Sequence, residues 1–195
     1  MKKSLGWILV LGVLAILVLW VVGVYNRLVE QEETVEAAWS QVENQYQRRA
    51  DLVPNLVATV KGYAAHEQST FENVMAARAK ATQITIDPSN ATPEQLAAYQ
   101  AAQGELSQAL GRLMAVAENY PELKANQNFL DLQSQLEGTE NRCTIARQQF
   151  NEEARKFNTT VRRFPGNIVA SIFGFEKKPY FEADEDAKHA PKVEF

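Results

Sequence analysis

The feature that most restricts this chain is a run of 20 consecutive uncharged residues from Leu5 to Val24, nearly all Leu, Val, Ile, Trp or Gly. As a helix rising about 1.5 Å per residue it spans roughly 30 Å, the thickness of the bilayer hydrocarbon. Trp7 and Trp20 lie near its ends and Tyr25 follows directly, where amphipathic rings favour the headgroup layer. A cleaved signal peptide would carry a shorter apolar stretch, about 7–15 residues, and a small-x-small cleavage site. Val21-Val22-Gly23-Val24-Tyr25-Asn26 offers no convincing site, and no cysteine follows the run to carry an acyl group. The expectation is an uncleaved transmembrane anchor at residues 5–24, in contact with the lipid bilayer, behind a stub at residues 1–4.

Charge sets the expected orientation. Lys2 and Lys3 precede the run, whereas the other side opens with Arg27 and then Glu30, Glu32, Glu33 and Glu36. The positive-inside rule keeps the stub in the cytoplasm and places residues 25–195 outside it. Of 20 basic and 24 acidic residues in the whole chain, Lys2 and Lys3 belong to the stub, leaving 18 basic against 24 acidic residues beyond the anchor. An acidic domain is a poor match to nucleic acid or to an anionic lipid surface, and no nucleic-acid partner is expected. Cys143 is the only cysteine, so no disulfide can form within one chain and stability must come from the core.

Strand signals are almost absent, and apolar residues between Arg27 and Phe164 recur at alternating steps of three and four, as in helices packed lengthwise. The first stripe runs Leu28, Val35, Trp39, Val42, Tyr46, Val53, Leu56, Val60 and Tyr63, with no linker after Val24. Pro54 falls inside it without turn signals and reads as a kink rather than an end. Gly62 is the better stop. A short helix containing Phe71, Val74, Met75 and Ala81 follows, and Asp87-Pro88-Ser89-Asn90 is a turn. Thr92-Pro93-Glu94-Gln95 has the residues of a capping box and starts a third helix with Leu96, Tyr99, Leu106, Leu110, Leu113, Ala117 and Tyr120, interrupted by Gln103. The last stripe is Phe129, Leu132, Leu136, Thr139, Cys143, Ala146, Phe150, Ala154, Phe157, Val161 and Phe164. Gly138 within it suggests close approach of a neighbour or a tolerated weakness.

Two long helices and two shorter ones fit an all-α fold. Its N-terminal transmembrane helix would run on into an antiparallel up-down-up-down four-helix bundle over residues 25–166, with coiled-coil-like seams. An apolar segment and an acidic tail, residues 167–195, would follow. That topology returns Ile168, Ile172, Phe173 and Phe175 towards the membrane. A plug over the open end of the bundle is the simpler role for this segment, and lipid contact is the alternative. The tail from Glu176 is expected to be irregular and partly mobile, with Tyr180, Phe181, Val193 and Phe195 as docking points.

No catalytic, metal or cofactor motif stands out. His66-Glu67 lacks a second histidine four positions on, and Cys143 in an apolar seam reads as a packing thiol. Two polar clusters are denser than solvation requires: Gln47-Arg48-Arg49-Ala50-Asp51, with Arg49 at a seam position, and Glu137-Gly138-Thr139-Glu140-Asn141-Arg142. Arg48, Arg49, Asp51, Glu140, Asn141 and Arg142 are therefore the candidate cluster. Pairing between the two segments would make a salt-bridged layer that sets helix register. The alternative is a contact surface for a partner or a second copy.

The stretch Ala38-Trp39-Ser40-Gln41-Val42-Glu43-Asn44-Gln45-Tyr46-Gln47-Arg48-Arg49-Ala50-Asp51-Leu52-Val53-Pro54-Asn55-Leu56-Val57, then Val60-Lys61-Gly62-Tyr63-Ala64-Ala65-His66-Glu67, resembles the core signature of the LemA family. So do Glu140-Asn141-Arg142 with Ala146-Arg147, Phe150-Asn151 and the closing Arg163-Phe164-Pro165-Gly166-Asn167. Cys143 departs from the pattern, which more usually has an aliphatic residue there. The resemblance implies a bacterial inner-membrane protein with one N-terminal anchor, a helical bundle outside the cytoplasm and no enzymatic activity. A homo-oligomeric scaffold or adaptor for another envelope protein is the leading expectation. A ligand sensor signalling through the anchor and a membrane-shaping protein are the alternatives.

Overall fold

The computed structural model describes residues 2–182, with side chains described from Gly6 onward. It is all-helical, with α1 at Lys2–Lys61, α2 at Gln68–Gln83, α3 at Pro93–Ala117, α4 at Pro121–Lys124, α5 at Gln127–Arg162 and α6 at Gly166–Phe173. There is no strand among the described residues. The N-terminal part of α1 is the one described helix long and apolar enough to cross a membrane, and that stretch is not covered by the rest of the chain.

Helix α1 runs for 60 residues through Pro54 without ending there, and the expected stop at Gly62 holds. Proline has no N–H to give to the carbonyl four residues back, so Ala50 loses its partner within the helix. Arg78 of α2 supplies the replacement, its Nε donating to the Ala50 carbonyl at 2.7 Å. The break in one helix is thus mended by a side chain of the next, which holds α2 against α1. The capping box at α3 forms as expected, Gln95 N–H donating to Thr92 Oγ1 at 3.2 Å and Thr92 N–H to Gln95 Oε1 at 3.0 Å.

From Trp39 to just past the end of α1, partners along α5 and its N-cap have decreasing residue numbers as those along α1 increase. Trp39 meets Phe150 with ring centroids 5.5 Å apart. Gln45 meets Arg142, Arg49 meets Glu140, and Tyr63 meets Asn126. Buried apolar residues form two clusters. One contains Leu28, Val35, Trp39, Tyr46, Tyr99, Phe150 and Phe157. The other contains Val53, Leu56, Phe71, Leu106, Leu113 and Phe129.

Four expectations need correction. Between α3 and α5 the chain makes one extra helical turn, α4, started by Pro121 and seated by the buried Leu123. Tyr120, read as the last residue of the α3 stripe, lies beyond the end of α3 at Ala117 and is the N-cap of α4. Phe164 lies beyond the end of α5 and is 75% exposed, so the last seam stops at Val161. Finally, the tail as far as Glu182 is irregular but pinned. Asn158 exchanges two hydrogen bonds of 2.8 Å with the backbone of Lys178, and Asn151 exchanges two of 2.9 Å with the backbone of Phe181. Phe181 is buried, stacked on Trp39 at 5.9 Å. Lys178 is buried too, its Nζ donating to Glu32 at 2.5 Å and to the Ser89 carbonyl at 2.7 Å. Of the other expected docking points, Tyr180 is 45% exposed, and Val193 and Phe195 lie outside the described residues.

Replacing Arg78 by Leu leaves the Ala50 carbonyl without a donor and is expected to cost about 1–2 kcal/mol. In a Pro54→Ala background the residue-54 N–H serves that carbonyl, so the same change should cost clearly less. Denaturant melts of the four proteins test the coupling, and equal costs in both backgrounds would contradict it.

Candidate functional site: a buried arginine layer and the cleft beside it

Between the two apolar clusters every long seam carries a polar residue: Arg49 on α1, Gln103 on α3 and Thr139 on α5, all buried. Arg49 is 1% exposed. Its Nη2 donates to Gln103 Oε1 at 2.7 Å and to the Gln103 carbonyl at 3.0 Å. Its Nη1 donates to Ser107 Oγ at 2.7 Å and to Glu140 Oε2 at 2.6 Å. Gln103 completes the set by donating from Nε2 to the Ala81 carbonyl of α2 at 3.1 Å. The guanidinium also lies over the Tyr46 ring, 5.0 Å from its centroid. One side chain therefore ties α1, α3 and α5 directly, and α2 through Gln103. A buried guanidinium is tolerable only with such partners, since an uncompensated charge is strongly unfavourable there.

Of the six candidate cluster residues, Arg49 and Glu140 come together as the pairing argument expects. Arg142 sits nearby, donating from Nη2 to Thr139 Oγ1 at 3.0 Å and from Nε to Gln45 Oε1 at 3.3 Å. Gly138 is not required by any close approach: a Cβ there would meet Arg142 Nη1 at 3.6 Å, an ordinary contact, with no neighbouring helix closer. The glycine faces a side chain of its own helix, not an approaching neighbour. Arg48, Asp51 and Asn141 are exposed and stay outside the network, Asp51 accepting from Gln47 Nε2 at 2.8 Å. Gln103 and Ser107 were missed as site residues. The signal for Gln103 was its interruption of the α3 stripe.

Beside the layer lies a cleft of about 1100 Å³. Arg49, Gln103, Ser107 and Glu140 form its inner wall, and small residues of α3, Ala101 and Gly104, open it outward. A Cβ at Gly104 would meet nothing within 4 Å.

The second group of candidates occupies α6 and the turn after it. Val169 and Ala170 are buried, whereas Ile168, Ile172 and Phe173 are 48%, 69% and 51% exposed. Phe173 and Phe175 both pack on Tyr25, at 4.8 and 5.7 Å between centroids. The segment thus covers the core with one face and leaves the other open, right beside the end of the apolar run.

Burial pushes the Cys143 thiol up to about 11 and the Tyr46 hydroxyl up to about 12, and raises Tyr99 further. Such a thiol is not an activated nucleophile. Among the described residues no group of three His, Cys, Asp or Glu could hold a metal ion.

The fold and site define an all-helical protein with a membrane-length N-terminal helix and a buried arginine layer joining its helices. The chain belongs to the LemA family, whose sequence profile matches residues 38–195. It is 30% identical over 175 residues to "Magnetosome protein MamQ 2" of Paramagnetospirillum magneticum, covering 81% of this chain and 64% of that protein. It is 30% identical over 174 residues to "Magnetosome protein MamQ" of Magnetospirillum gryphiswaldense, covering 80% of this chain and 64% of that one. The chain thus spans a little under two thirds of the length of the MamQ proteins it matches. "Protein LemA" of Metamycoplasma hominis is 24% identical over 164 residues, covering 84% of this chain and 71% of that protein.

Two outcomes follow. Arg49→Ala leaves the polar layer empty and is expected to cost about 3 kcal/mol. Glu140→Gln should cost about 1 kcal/mol or less, because Glu140 is half exposed and Arg49 keeps Gln103 and Ser107. Urea melts decide this, and equal costs would contradict the network's centre being Arg49. The second concerns alkali. The raised Cys143 and Tyr46 values favour the folded state below the ordinary values of about 9 and 10, and this contribution is lost as pH rises towards 11 and 12. The denaturation midpoint should fall between pH 8 and pH 11, less so in a Cys143→Ala, Tyr46→Phe protein.

Proposed function

We propose that this protein is a non-enzymatic scaffold of the bacterial envelope, anchored in the inner membrane by residues 5–24 with its N-terminus in the cytoplasm. Its helices beyond the span form an antiparallel up-down-up-down four-helix bundle whose register is set by the Arg49 layer. The bundle binds a second copy or another envelope protein through the cleft beside that layer. The observation that carries this reading is the continuity of α1, which passes from the apolar run to Arg49 and on to Lys61 as one helix. A domain attached in this way stands at a fixed angle to the bilayer, so copies side by side present the same face in the same direction. Membership of the LemA family supports a membrane-associated envelope protein.

Gly104 gives a clean test, because a side chain there projects into open space and replaces a poor helix former. Gly104→Trp should keep or raise the melting temperature while abolishing copy-to-copy crosslinking in membranes, or recovery of the adaptor's partner. A wild-type protein that is strictly monomeric in nanodiscs and recovers no envelope protein would sink the proposal.

A second reading has one observation in its favour, the exposed face of α6 next to Tyr25. In it, α6 lies against lipid and helps to shape the membrane. Ile168→Ser with Ile172→Ser should then weaken vesicle deformation without lowering thermal stability, since neither residue is buried. Unchanged vesicle shape would count against it.

A further inference from the structure

A separate cavity of about 610 Å³ lies between α1, where the apolar run ends, and the C-terminal turns of α5. Its apolar lining includes Trp20, 38% exposed, and Phe164, 75% exposed. Its basic lining includes Arg27, Arg155 and Arg163. None of these three guanidinium groups has a hydrogen-bond or ion-pair partner among the described residues, whereas Lys156, which also lines the cavity, is paired with Glu153 at 2.7 Å. Gln31 lines it as well, and its Oε1 is buried without a hydrogen-bond donor.

Three unpaired cations around one hollow run against the rest of the chain, which is acidic overall and whose next α1 residues include Glu30, Glu32, Glu33 and Glu36. Helix-end electrostatics accounts for little of this. Arg162 in the last turn of α5 already answers the helix C-terminus, while Arg155 is two turns short of that end and Arg27 belongs to the interior of α1. Height decides the ligand. Trp20 belongs to the apolar run and Arg27 lies seven residues on, about 10 Å along the helix axis, so the cavity climbs from acyl-chain depth into the headgroup layer.

We propose that this cavity binds the headgroup of an anionic phospholipid. Arg27, Arg155 and Arg163 hold its phosphodiester, a hydroxyl of a glycerol-type headgroup donates to Gln31, and the first acyl carbons pass between Trp20 and Phe164. The inference rests on the membrane-anchored reading above and goes beyond it, because a plain anchor needs no preference among lipids.

The test uses the full chain in phosphatidylcholine nanodiscs, with lipid retention read by native mass spectrometry. Phosphatidylglycerol added at low mole fraction should be retained at least about tenfold better than added phosphatidylcholine, and raised salt should weaken retention. Arg27→Gln with Arg155→Gln and Arg163→Gln should remove the preference while the protein still enters nanodiscs. Soluble inorganic phosphate and glycerol phosphate should not raise the melting temperature as the lipid does. Equal retention of the two lipids, an unaltered preference in the triple variant, or a matching effect of free phosphate would each overturn the site. A chain released from native membranes by alkaline carbonate would overturn the anchor as well, and so separates the two failures.

Discussion

The alignment of the helices above the apolar run depends on the buried charge of Arg49. Arg49 is placed where an aliphatic residue would otherwise continue the α1 seam, and its five-donor fork can be satisfied only by oxygens from other helices. Gln103, Ser107 and Glu140 take four bonds from Nη1 and Nη2 at 2.6–3.0 Å, and the buried Nε has no partner. Apolar packing tolerates sliding by a turn, since one aliphatic ridge resembles the next. A guanidinium with four directed hydrogen bonds does not. Shifting any of α1, α3 or α5 by one turn would strand the charge, at a cost far above that of losing one methyl contact. The layer therefore separates two apolar clusters in space and binds them in alignment.

The same solution recurs wherever the backbone lacks a partner. Pro54 leaves the Ala50 carbonyl open, and Arg78 of α2 closes it. The irregular tail has no ladder of its own, and Asn151 and Asn158 bond its backbone, each giving and accepting one bond. Lys178 fastens that tail to Glu32 of α1 and to the Asp87–Asn90 turn through Ser89. Side-chain amides and cations thus add directed bonds to helices and segments that the two apolar clusters already pack together.

Much of the helical framework could be read from the sequence because periodicity and caps are local signals. The unbroken passage from Val24 to Leu28, the stop at Gly62, the capping box at Thr92 and the Arg49–Glu140 pairing were all legible in that way. The tail was not. Glu176 to Glu182 has no periodicity, and its order comes from Asn151 and Asn158, whose spacing of seven looks like ordinary polar helix surface. Phe164 was misread because its apolar character fits the seam although α5 has already ended. Gln103 looked like a break in a stripe and Ser107 like ordinary polar helix surface, and only the position of Arg49 across from them turns the two into partners. Nothing local marked the cavity near Trp20, since Arg27 lies more than a hundred residues from Arg155 and Arg163.

The central claim is that α1 is one rigid member, clamped at Arg49, which carries the geometry of the membrane span to the distal cluster. Spin labels at Asn26→Cys and Lys61→Cys, in a Cys143→Ala protein held in nanodiscs, measure that directly by pulsed electron resonance. The account predicts a single narrow distance distribution near about 50 Å, the length of 35 helical residues. A broad distribution or a markedly shorter mean would show a hinge above the membrane and contradict it.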